Sequence, residues 1–315
     1  MPKQFRLGLI GARGYVGSEL IRLIQNHPNI ELAYVSSRER EGKLLTEFEP
    51  DVPTGMHYVN VNPEQALQLL ADVVVLALPN NLAENWVKIF DANDSKALII
   101  DLSAGYRFDT TWFYGLPEIN RKDYQGQRRI SNPGCYATAM QLAINPMKDY
   151  ISQAVQCFGV SGYSGAGTSP SDKNNPEKLQ DNFMPYALVN HIHEREVARQ
   201  MDCDLHFMPH VASHFRGLSI TTNIQLNQKL DIEFIKQRYQ QAYKNEAFIS
   251  VVGAAPWVTN VINTPNAIVG GFTLSENGKR LVVVSVLDNL LKGAASQALQ
   301  NINLGLALPE TQGIL

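Results

Sequence analysis

A cysteine near the middle of the chain follows a turn sequence and precedes a run with helical character. In SNPGCYATAM (131–140), Gly134 supplies the turn and Cys135 stands in the first turn of the helix. The free N–H groups and the macrodipole of a helix N-terminus stabilise a thiolate. The alternative for an isolated cysteine is a small buried hydrophobe. We interpret Cys135 as a nucleophile, and Cys157 and Cys203 as structural residues.

A glycine-rich loop near the start of the chain has the pattern that a dinucleotide requires. GARGYVG places glycines at 11, 14 and 17, after a strand-like segment and at the opening of a helix-like one. The first suits a tight turn, the second lets the backbone approach a pyrophosphate, and the third allows close helix–strand packing. The spacing is GxxGxxG rather than GxGxxG, and an ordinary βα turn is the alternative. We expect these loop residues to contact the cofactor: Gly11, Arg13, Gly14, Tyr15, Val16 and Gly17.

The end of the second strand indicates which dinucleotide binds. An NAD site usually offers Asp or Glu here for the ribose 2′-hydroxyl, but VSSRER carries Ser36, Ser37 and Arg38 instead. Hydroxyls and a guanidinium suit a 2′-phosphate, which favours NADP(H), although the neighbouring Glu39 is compatible with NAD. A nicotinamide site and a helix-opening cysteine in one chain predict oxidation or reduction of an acyl group through a thioester.

Composition and charge limit the kinds of protein that this chain can be. Its 315 residues suffice for two domains, and 44% hydrophobic and 18% charged residues are typical of a soluble globular protein. The formal net charge of -3 gives no electrostatic reason to expect nucleic acid or membrane as a partner. No segment has the pattern of a signal peptide or a membrane span. The three cysteines, far apart, argue against disulfides and zinc, so we expect a cytoplasmic protein without a metal.

Strand-like and helix-like segments alternate through the first third of the chain. Runs such as ADVVVLALP (71–79) and KALIIDLSA (96–104) are continuously apolar, as are the central strands of parallel sheets. Between strands, VGSELIRLIQNH (16–27) carries apolar residues at helical spacing. This rhythm predicts a doubly wound parallel sheet of the Rossmann type.

The pattern changes in the second half. GLSITTNIQL (217–226) alternates with period two, and Asn277-Gly278 between two strand-like runs is typical of a type I′ hairpin. A polar loop over 164–178 is long enough to be functional. The fold class is therefore predicted to be α/β: a Rossmann-like dinucleotide-binding domain plus an α+β domain with a largely antiparallel sheet.

Seven segments in order along the chain resemble the N-acetyl-gamma-glutamyl-phosphate reductase family, the arginine-biosynthesis relatives of aspartate-semialdehyde dehydrogenase. SNPGCYAT is similar to that family's active-site motif, and the resemblance covers nearly the whole chain. The other segments are GARGYVGSEL (11–20), IIDLSAGYRFD (99–109) continued by YGLPE (114–118), SGYSGAG (161–167), HIHEREV (191–197), PHVASHFRG (209–217) and DNLLKGAASQALQNINL (288–304). The sequence departs from the family pattern at Asn80-Asn81, where His-Gly is usual.

The resemblance implies a reaction and a domain plan. The reaction is NADPH-dependent reduction of N-acetyl-glutamyl 5-phosphate to the semialdehyde, with release of phosphate, by a cytoplasmic homodimer or homotetramer. Residues 1–149 are expected to form the NADP-binding domain, completed by 289–315, and residues 150–288 the catalytic and oligomerisation domain. Aminoadipyl or aspartyl phosphate is an alternative substrate, and a non-catalytic NADP-binding redox sensor is an alternative function.

Proton transfer in this reaction suits histidine, and HIHERE supplies two of them. If this segment is helical, neither His191 nor His193 is excluded as the acid/base. The resemblance implies an active-site role here, so we expect His191 to be the acid/base and Glu196 to orient an imidazole. The alternative for His193 is a structural histidine.

The anionic substrate needs cations and N–H groups. Arg107 is the expected phosphate ligand, with an ion pair to a neighbouring carboxylate as its alternative. Arg216 is expected to bind the substrate's α-carboxylate or else to brace the sheet. The remaining expected contacts are Asn132 to the substrate, Pro79 to the cofactor, and the loop residues Ser164 and Gly165 to both.

Overall fold

Short apolar strands alternate with amphipathic helices in the first part of the chain, as the sequence predicts. The structure, a computed structural model, describes residues 5–52 and 55–315. Up to Pro133 the elements are β1 (Phe5–Ile10), α1 (Tyr15–Gln25), β2 (Ile30–Ser36), α2 (Pro63–Gln68), β3 (Val73–Leu76), α3 (Ala83–Ala92), β4 (Leu98–Asp101), β5 (Phe113–Tyr114), α4 (Pro117–Asn120) and β6 (Arg129–Ser131).

The six strands of this part form one parallel sheet in the order β2-β1-β3-β4-β6-β5. Every residue of β3 and β4 is buried, because helices cover both faces of such a sheet. Helix α1 presents Leu20, Ile21 and Ile24 to the core, with Arg22 and Gln25 exposed to solvent. The predicted doubly wound parallel sheet is confirmed.

A second sheet follows in the chain, and it mixes antiparallel and parallel pairs. Its elements are α5 (Cys135–Ile144), β7 (Val155–Gly162), α6 (Pro176–Leu179), β8 (Phe183–Pro185), α7 (Ile192–Met201), β9 (Leu205–Ala212), β10 (Leu218–Gln225), α8 (Ile232–Tyr243), β11 (Ile249–Val251), β12 (Ala267–Leu274) and β13 (Arg280–Leu287). The seven strands lie in the order β11-β12-β13-β10-β7-β9-β8. Four of the six pairs are antiparallel, whereas β11–β12 and β7–β9 are parallel. The largely antiparallel sheet is therefore as predicted.

The chain divides into two units at Pro133/Gly134 and at Gly293/Ala294. The first unit ends with helix α9 (Ser296–Gly305), which places Ala298, Leu299 and Ile302 in that unit's core. The second unit starts with α5, whose residues after Cys135 are all buried and pack on β10, β13 and α7. Sequence analysis places the boundary near residue 149, but the units divide 16 residues earlier because α5 belongs to the core of the second sheet.

One local feature, the hairpin turn, differs from the sequence-based expectation. The hairpin between β12 and β13 is closed by a hydrogen bond from the Gly278 N–H to the Ser275 carbonyl, and Gly278 alone in that turn has a positive φ, of 70°. A type I′ turn needs positive φ at Asn277 as well, so that expectation is wrong.

The polar loop over 164–178 is built from short helical turns, including Asp172–Asn174. Within the described residues, no helix has the length and apolar character needed to cross a membrane.

Candidate active site

The glycine loop of the first unit has the geometry of a phosphate cradle. Gly11 has φ of 82°, and a Cβ there would lie 2.2 Å from the Ala77 carbonyl oxygen. A Cβ on Gly17 would lie 2.7 Å from the backbone of Ala12, so glycine is needed for the helix to approach the strand. In contrast, a Cβ on Gly14 would meet only the Gly11 oxygen, at 3.9 Å, so the backbone there is open to a ligand. Gly14 caps α1 without a side-chain hydrogen bond, which leaves the helix N-terminus suited to a pyrophosphate.

The charges at the end of β2 are arranged to leave one cation exposed. Arg13 of the glycine loop forms an ion pair with Glu39, the carboxylate that sequence analysis leaves as a possible NAD ligand. Ser36 and Ser37 are buried, whereas Arg38 is exposed and has no carboxylate partner among the residues that the structure describes. The pairing of Glu39 with Arg13 therefore favours a 2′-phosphate over a 2′-hydroxyl at this point.

Arg107, the expected phosphate ligand, is buried in the first unit and holds protein carbonyl groups. Its Nε donates to the Asn132 carbonyl at 2.9 Å and its Nη2 to the Leu102 carbonyl at 3.0 Å. Burial raises the pKa of nearby Asp101, although hydrogen bonds from Ser103 and the charge of Arg107 oppose the shift. The guanidinium thus ties the segment after β4 to the turn after β6.

Asn132 and Pro79, the other expected contacts in this unit, lie in different surroundings. Asn132 is 1% exposed, and its Oδ1 accepts a hydrogen bond from Asn301 at 2.8 Å. Pro79 is exposed just after β3, where the family pattern and this sequence diverge. There Asn80 Oδ1 accepts the N–H of Ala104 at 3.0 Å and so fastens this segment to the one after β4.

Cys135 is the first residue of α5 in the second unit, as predicted. Gly134 caps this helix with extended backbone, and its N–H donates to Glu196 Oε1 at 2.9 Å. Glu196 is fully buried in α7, so the turn before the cysteine is held from inside the unit. Gly293 packs against Cys135, because a Cβ there would lie 2.6 Å from Cys135 Cβ. The cysteine therefore stands at a helix N-terminus in a backbone that other segments hold in place.

His191 is the N-cap of α7, so the HIH segment is neither extended nor fully helical. Its Nδ1 accepts the N–H of His193 at 3.1 Å, which means that the neutral imidazole carries its proton on Nε2. Burial lowers the pKa of His191 to about 4; the charge of Lys173 acts in the same direction and Glu194 opposes it. Near neutral pH this ring is an uncharged hydrogen-bond donor.

Aromatic rings surround the two histidines. The Tyr136 ring lies 6.4 Å from that of His191 and 6.1 Å from that of His193, centroid to centroid, and the two imidazoles are 4.8 Å apart. The Tyr136 hydroxyl donates to the His210 carbonyl at 2.7 Å. Because Tyr136 follows Cys135 in α5, these contacts place both histidines and Cys135 in one region of the second unit.

The loop with Ser164 and Gly165 is braced by polar groups of the second unit. The Ser164 N–H donates to the Phe215 carbonyl at 3.0 Å, and its hydroxyl accepts from Asn289 Nδ2 at 2.9 Å. The Gly167 N–H donates to the Ser164 carbonyl, so the N–H groups of Ser164 and Gly167 are both engaged by protein carbonyl groups. A Cβ on Gly165 would lie 3.2 Å from Ser161 Oγ, which leaves little room for a side chain.

Arg216 forms a two-point ion pair with Asp288. Its Nε and Nη2 lie 2.7 and 3.1 Å from the two carboxylate oxygens, and the carboxylate is fully buried. Asp288 also accepts the backbone N–H groups of Asn263 and Leu290. This arrangement matches the bracing alternative for Arg216.

The second unit brings together Cys135, His191, His193 and Glu196, and the first unit brings together the glycine loop and Arg38. Sequence analysis did not identify Asn289, Asp288 or Tyr136 as residues that support the site. Their signal was weak: two are polar residues at the head of a quoted motif, DNLLKG, and the third is an aromatic residue inside a helix.

Comparisons with known proteins define the class first. Residues 6–127 match the family described as "Semialdehyde dehydrogenase, NAD binding domain", and residues 135–289 match "Semialdehyde dehydrogenase, dimerisation domain". The chain is thus an oxidoreductase of the semialdehyde dehydrogenase type, with a nicotinamide-dinucleotide-binding unit followed by a unit of the dimerisation type.

The more specific relationship comes from curated relatives. The chain is 56% identical over 310 residues to N-acetyl-gamma-glutamyl-phosphate reductase of Stenotrophomonas maltophilia, with 98% of each chain covered. It is 54% identical to the protein of that name from Xanthomonas campestris and 52% identical to that from Xylella fastidiosa, covering 98% of this chain and 98% and 95% of theirs. The chain belongs to the N-acetyl-gamma-glutamyl-phosphate reductase family, and the resemblance seen in its motifs is confirmed.

Solved structures share the fold. Aspartate semialdehyde dehydrogenase II of Vibrio cholerae, complexed with ASA, has a TM-score of 0.78 at 18% identity, over 97% of this chain and 99% of that one. The enzyme of Candida albicans, solved with NADP, has a TM-score of 0.73 at 16% identity, over 96% and 98%. The predicted fold class is therefore confirmed.

His191 makes the stability of the second unit pH-dependent. Because its folded pKa of about 4 lies below the ordinary value of 6.5, the unfolded chain binds a proton that the folded chain does not. Stability present above pH 6.5 is lost as the pH falls towards 4.

His191→Asn keeps a capping acceptor but lacks this proton site. We expect the urea midpoint of the wild type to fall more steeply than that of the variant between about pH 7 and about pH 4.5. His27, whose pKa burial also lowers, is the same in both proteins. If the urea midpoints of the two proteins change with pH in parallel, the assignment of this pH dependence to His191 is wrong.

Proposed function

We propose that this chain reduces N-acetyl-glutamyl 5-phosphate to N-acetyl-glutamate 5-semialdehyde, with release of phosphate, in arginine biosynthesis. The observation that carries the proposal is Cys135 at the opening of α5, on a turn held by Glu196, in a chain 56% identical to a named reductase. A helix N-terminus supplies the partial positive charge that a nucleophilic thiolate requires.

The first step is attack by the Cys135 thiolate on the acyl carbon of the substrate. The carbon–sulfur bond forms, the bond from that carbon to the phosphate oxygen breaks, and phosphate leaves with its electron pair. The acyl group is then a thioester on Cys135, which divides one difficult transfer into two easier steps. The nicotinamide, when bound, supplies the hydride that reduces this thioester.

His191 is proposed to act on the oxygen of the acyl group. Reduction places negative charge on this oxygen, and a neutral imidazole donating from Nε2 stabilises it. When the resulting thiohemiacetal collapses, the carbon–sulfur bond breaks, the aldehyde leaves and the Cys135 thiolate is restored. The lowered pKa of His191 supports this role, because the ring remains a neutral donor at pH 7. Glu196 is proposed to position the turn before Cys135 as well as to orient an imidazole.

The proposal includes the substrate contacts expected from the sequence. Arg107 is assigned to the phosphate and Arg216 to the α-carboxylate, and Asn132, Ser164 and Gly165 are assigned to the substrate as further contacts. Both guanidinium groups also donate hydrogen bonds to protein oxygen atoms. These bonds fix the orientation of each guanidinium group before the substrate binds.

NADP(H) is proposed as the cofactor because Glu39 is engaged by Arg13 and Arg38 is exposed. We further propose a homodimer or homotetramer, formed through the unit that matches a dimerisation domain, and a cytoplasmic location. The unbridged state of Cys135, Cys157 and Cys203 supports a reducing compartment. The glycine-loop residues and Pro79 are assigned to the cofactor.

The function is tested by following NADP reduction with phosphate and a semialdehyde, in the reverse direction. We expect turnover with N-acetyl-glutamate semialdehyde and much slower turnover with the aspartate and aminoadipate semialdehydes. Faster turnover of the aspartate or the aminoadipate semialdehyde would identify that compound as the substrate instead. Binding of NADP without any turnover would favour the redox sensor.

Cys135→Ser and Cys135→Ala should abolish this turnover and leave NADP binding near normal, because the cysteine forms the covalent intermediate. Steady-state rates and a fluorescence titration of NADPH provide the two measurements, with Cys203→Ser as the matched control. Residual activity above about one thousandth of the wild type would exclude covalent catalysis by this residue.

Arg38→Ala should weaken NADPH binding by roughly 1.5–3 kcal/mol and leave NADH binding nearly unchanged, because it removes a charge-assisted contact to the 2′-phosphate. Titration of both cofactors measures the difference, with exposed Arg128→Ala as the control in the same unit. Equal losses for the two cofactors would show that Arg38 does not contact the 2′-phosphate.

His191→Asn should lower kcat by a factor on the order of 10² to 10⁴ with little change in KM, since its interaction forms mainly in the transition state. His193→Asn should instead lower thermal stability and keep most of the rate. If the two effects are exchanged, His193 is the residue that acts on the substrate oxygen.

A further inference from the structure

Lys173 is a partly buried lysine on the polar loop of the second unit, next to the histidine region. Its Nζ lies 4.9 Å from the centroid of the Tyr186 ring. The loop around it is fastened by Asn174, whose Nδ2 donates to the carbonyls of Gly167 and Ser169 at 2.9 and 2.7 Å. The ammonium therefore projects from a segment with internal support, rather than from an unstructured loop.

The carboxylates nearest to this lysine along its own loop and beside His191 are committed elsewhere. Asp172 pairs with Lys178, at 2.7 Å. Glu194 accepts the backbone N–H groups of Asn190 and Phe207, at 3.0 and 2.8 Å. Among the residues that the structure describes, Lys173 has no ion pair. A partly buried ammonium without a counterion is suited to an anionic ligand.

The position of Lys173 relative to the nucleophile follows from a chain of ring contacts. The Tyr186 ring lies 5.5 Å from the His191 ring, and His191 lies 6.4 Å from Tyr136, the residue after Cys135. The positive charge of Lys173 also contributes to the lowered pKa of His191, because it disfavours protonation of that imidazole. Lys173 is thus on the same side of the second unit as the groups that act on the acyl phosphate.

The substrate of the proposed reaction carries a phosphate and a carboxylate, and both guanidinium groups assigned to them already hold protein oxygens. Arg216 is paired with Asp288, and Arg107 donates to the Asn132 and Leu102 carbonyls. Lys173 has no such competing acceptor. We propose that Lys173 binds an anionic group of the substrate, either its phosphate or its carboxylate, beside Cys135. This inference rests on the proposed function and adds a residue that determines substrate affinity.

The test compares Lys173→Ala and Lys173→Arg with Lys178→Ala, a neighbouring lysine of the same loop that is paired with Asp172. In the reverse direction, the KM values of phosphate, semialdehyde and NADP are measured separately. We expect Lys173→Ala to raise the KM of either phosphate or the semialdehyde by about 10- to 100-fold, with the KM of NADP unchanged. Lys173→Arg should restore most of the affinity, and Lys178→Ala should match the wild type. A raised phosphate KM identifies the phosphate as the partner, and a raised semialdehyde KM identifies the carboxylate.

A second readout does not depend on turnover. Inorganic phosphate and N-acetyl-glutamate are tested for protection of Cys135 against iodoacetamide in the wild type and in Lys173→Ala. We expect one of the two anions to slow alkylation in the wild type and to lose this effect in the variant. Unchanged KM values together with equal protection in both proteins, or with no protection of either, would overturn the role of Lys173. Failure of the wild type to turn over N-acetyl-glutamate semialdehyde, with protection still dependent on Lys173, would overturn only the proposed function.

Discussion

The hydrogen bond from the Gly134 N–H to the Glu196 carboxylate holds together the parts of the second unit that carry the proposed catalytic residues. Glu196 is completely buried, and a buried carboxylate is stable only when hydrogen bonds satisfy it. It lies in α7, the helix that His191 caps, whereas Gly134 caps α5, the helix that Cys135 opens. One bond therefore joins the N-terminus of α5, which carries Cys135, to the middle of the helix that His191 caps, and the packing of α5 on α7 adds to this connection.

Much of this arrangement was predictable, because local rules decide it. The glycine loop needs Gly11 and Gly17 for steric reasons that any βα turn of this kind imposes, and the apolar runs of β3 and β4 reflect a sheet covered on both faces. Cys135 was predicted to open a helix because glycine before it ends the turn. Asp231 caps α8 through hydrogen bonds to the N–H groups of Glu233 and Phe234, as its side chain favours.

Other features depend on contacts between residues distant in the chain, and no local pattern encodes them. Helix α5 is buried on every side after Cys135, so its sequence has no single apolar face to show which sheet it covers, and the unit boundary was placed too late. The pairing of Arg216 with Asp288 joins residues 72 positions apart. A charged residue at a plausible position is equally consistent with a ligand and with a buried partner, and only the fold distinguishes the two. The same holds for Glu39, which Arg13 neutralises.

Helix α9 has a consequence for the order in which the protein is made. Its residues Ala298, Leu299 and Ile302 fill the core of the first unit, although they are translated after the whole of the second unit. The second unit is one continuous segment, so its entire core is available before α9 is made. Domains usually mature on the ribosome from the N-terminal end, but here the N-terminal sheet must wait for the final helix. Until α9 has been made, part of the apolar surface around β4 stays uncovered.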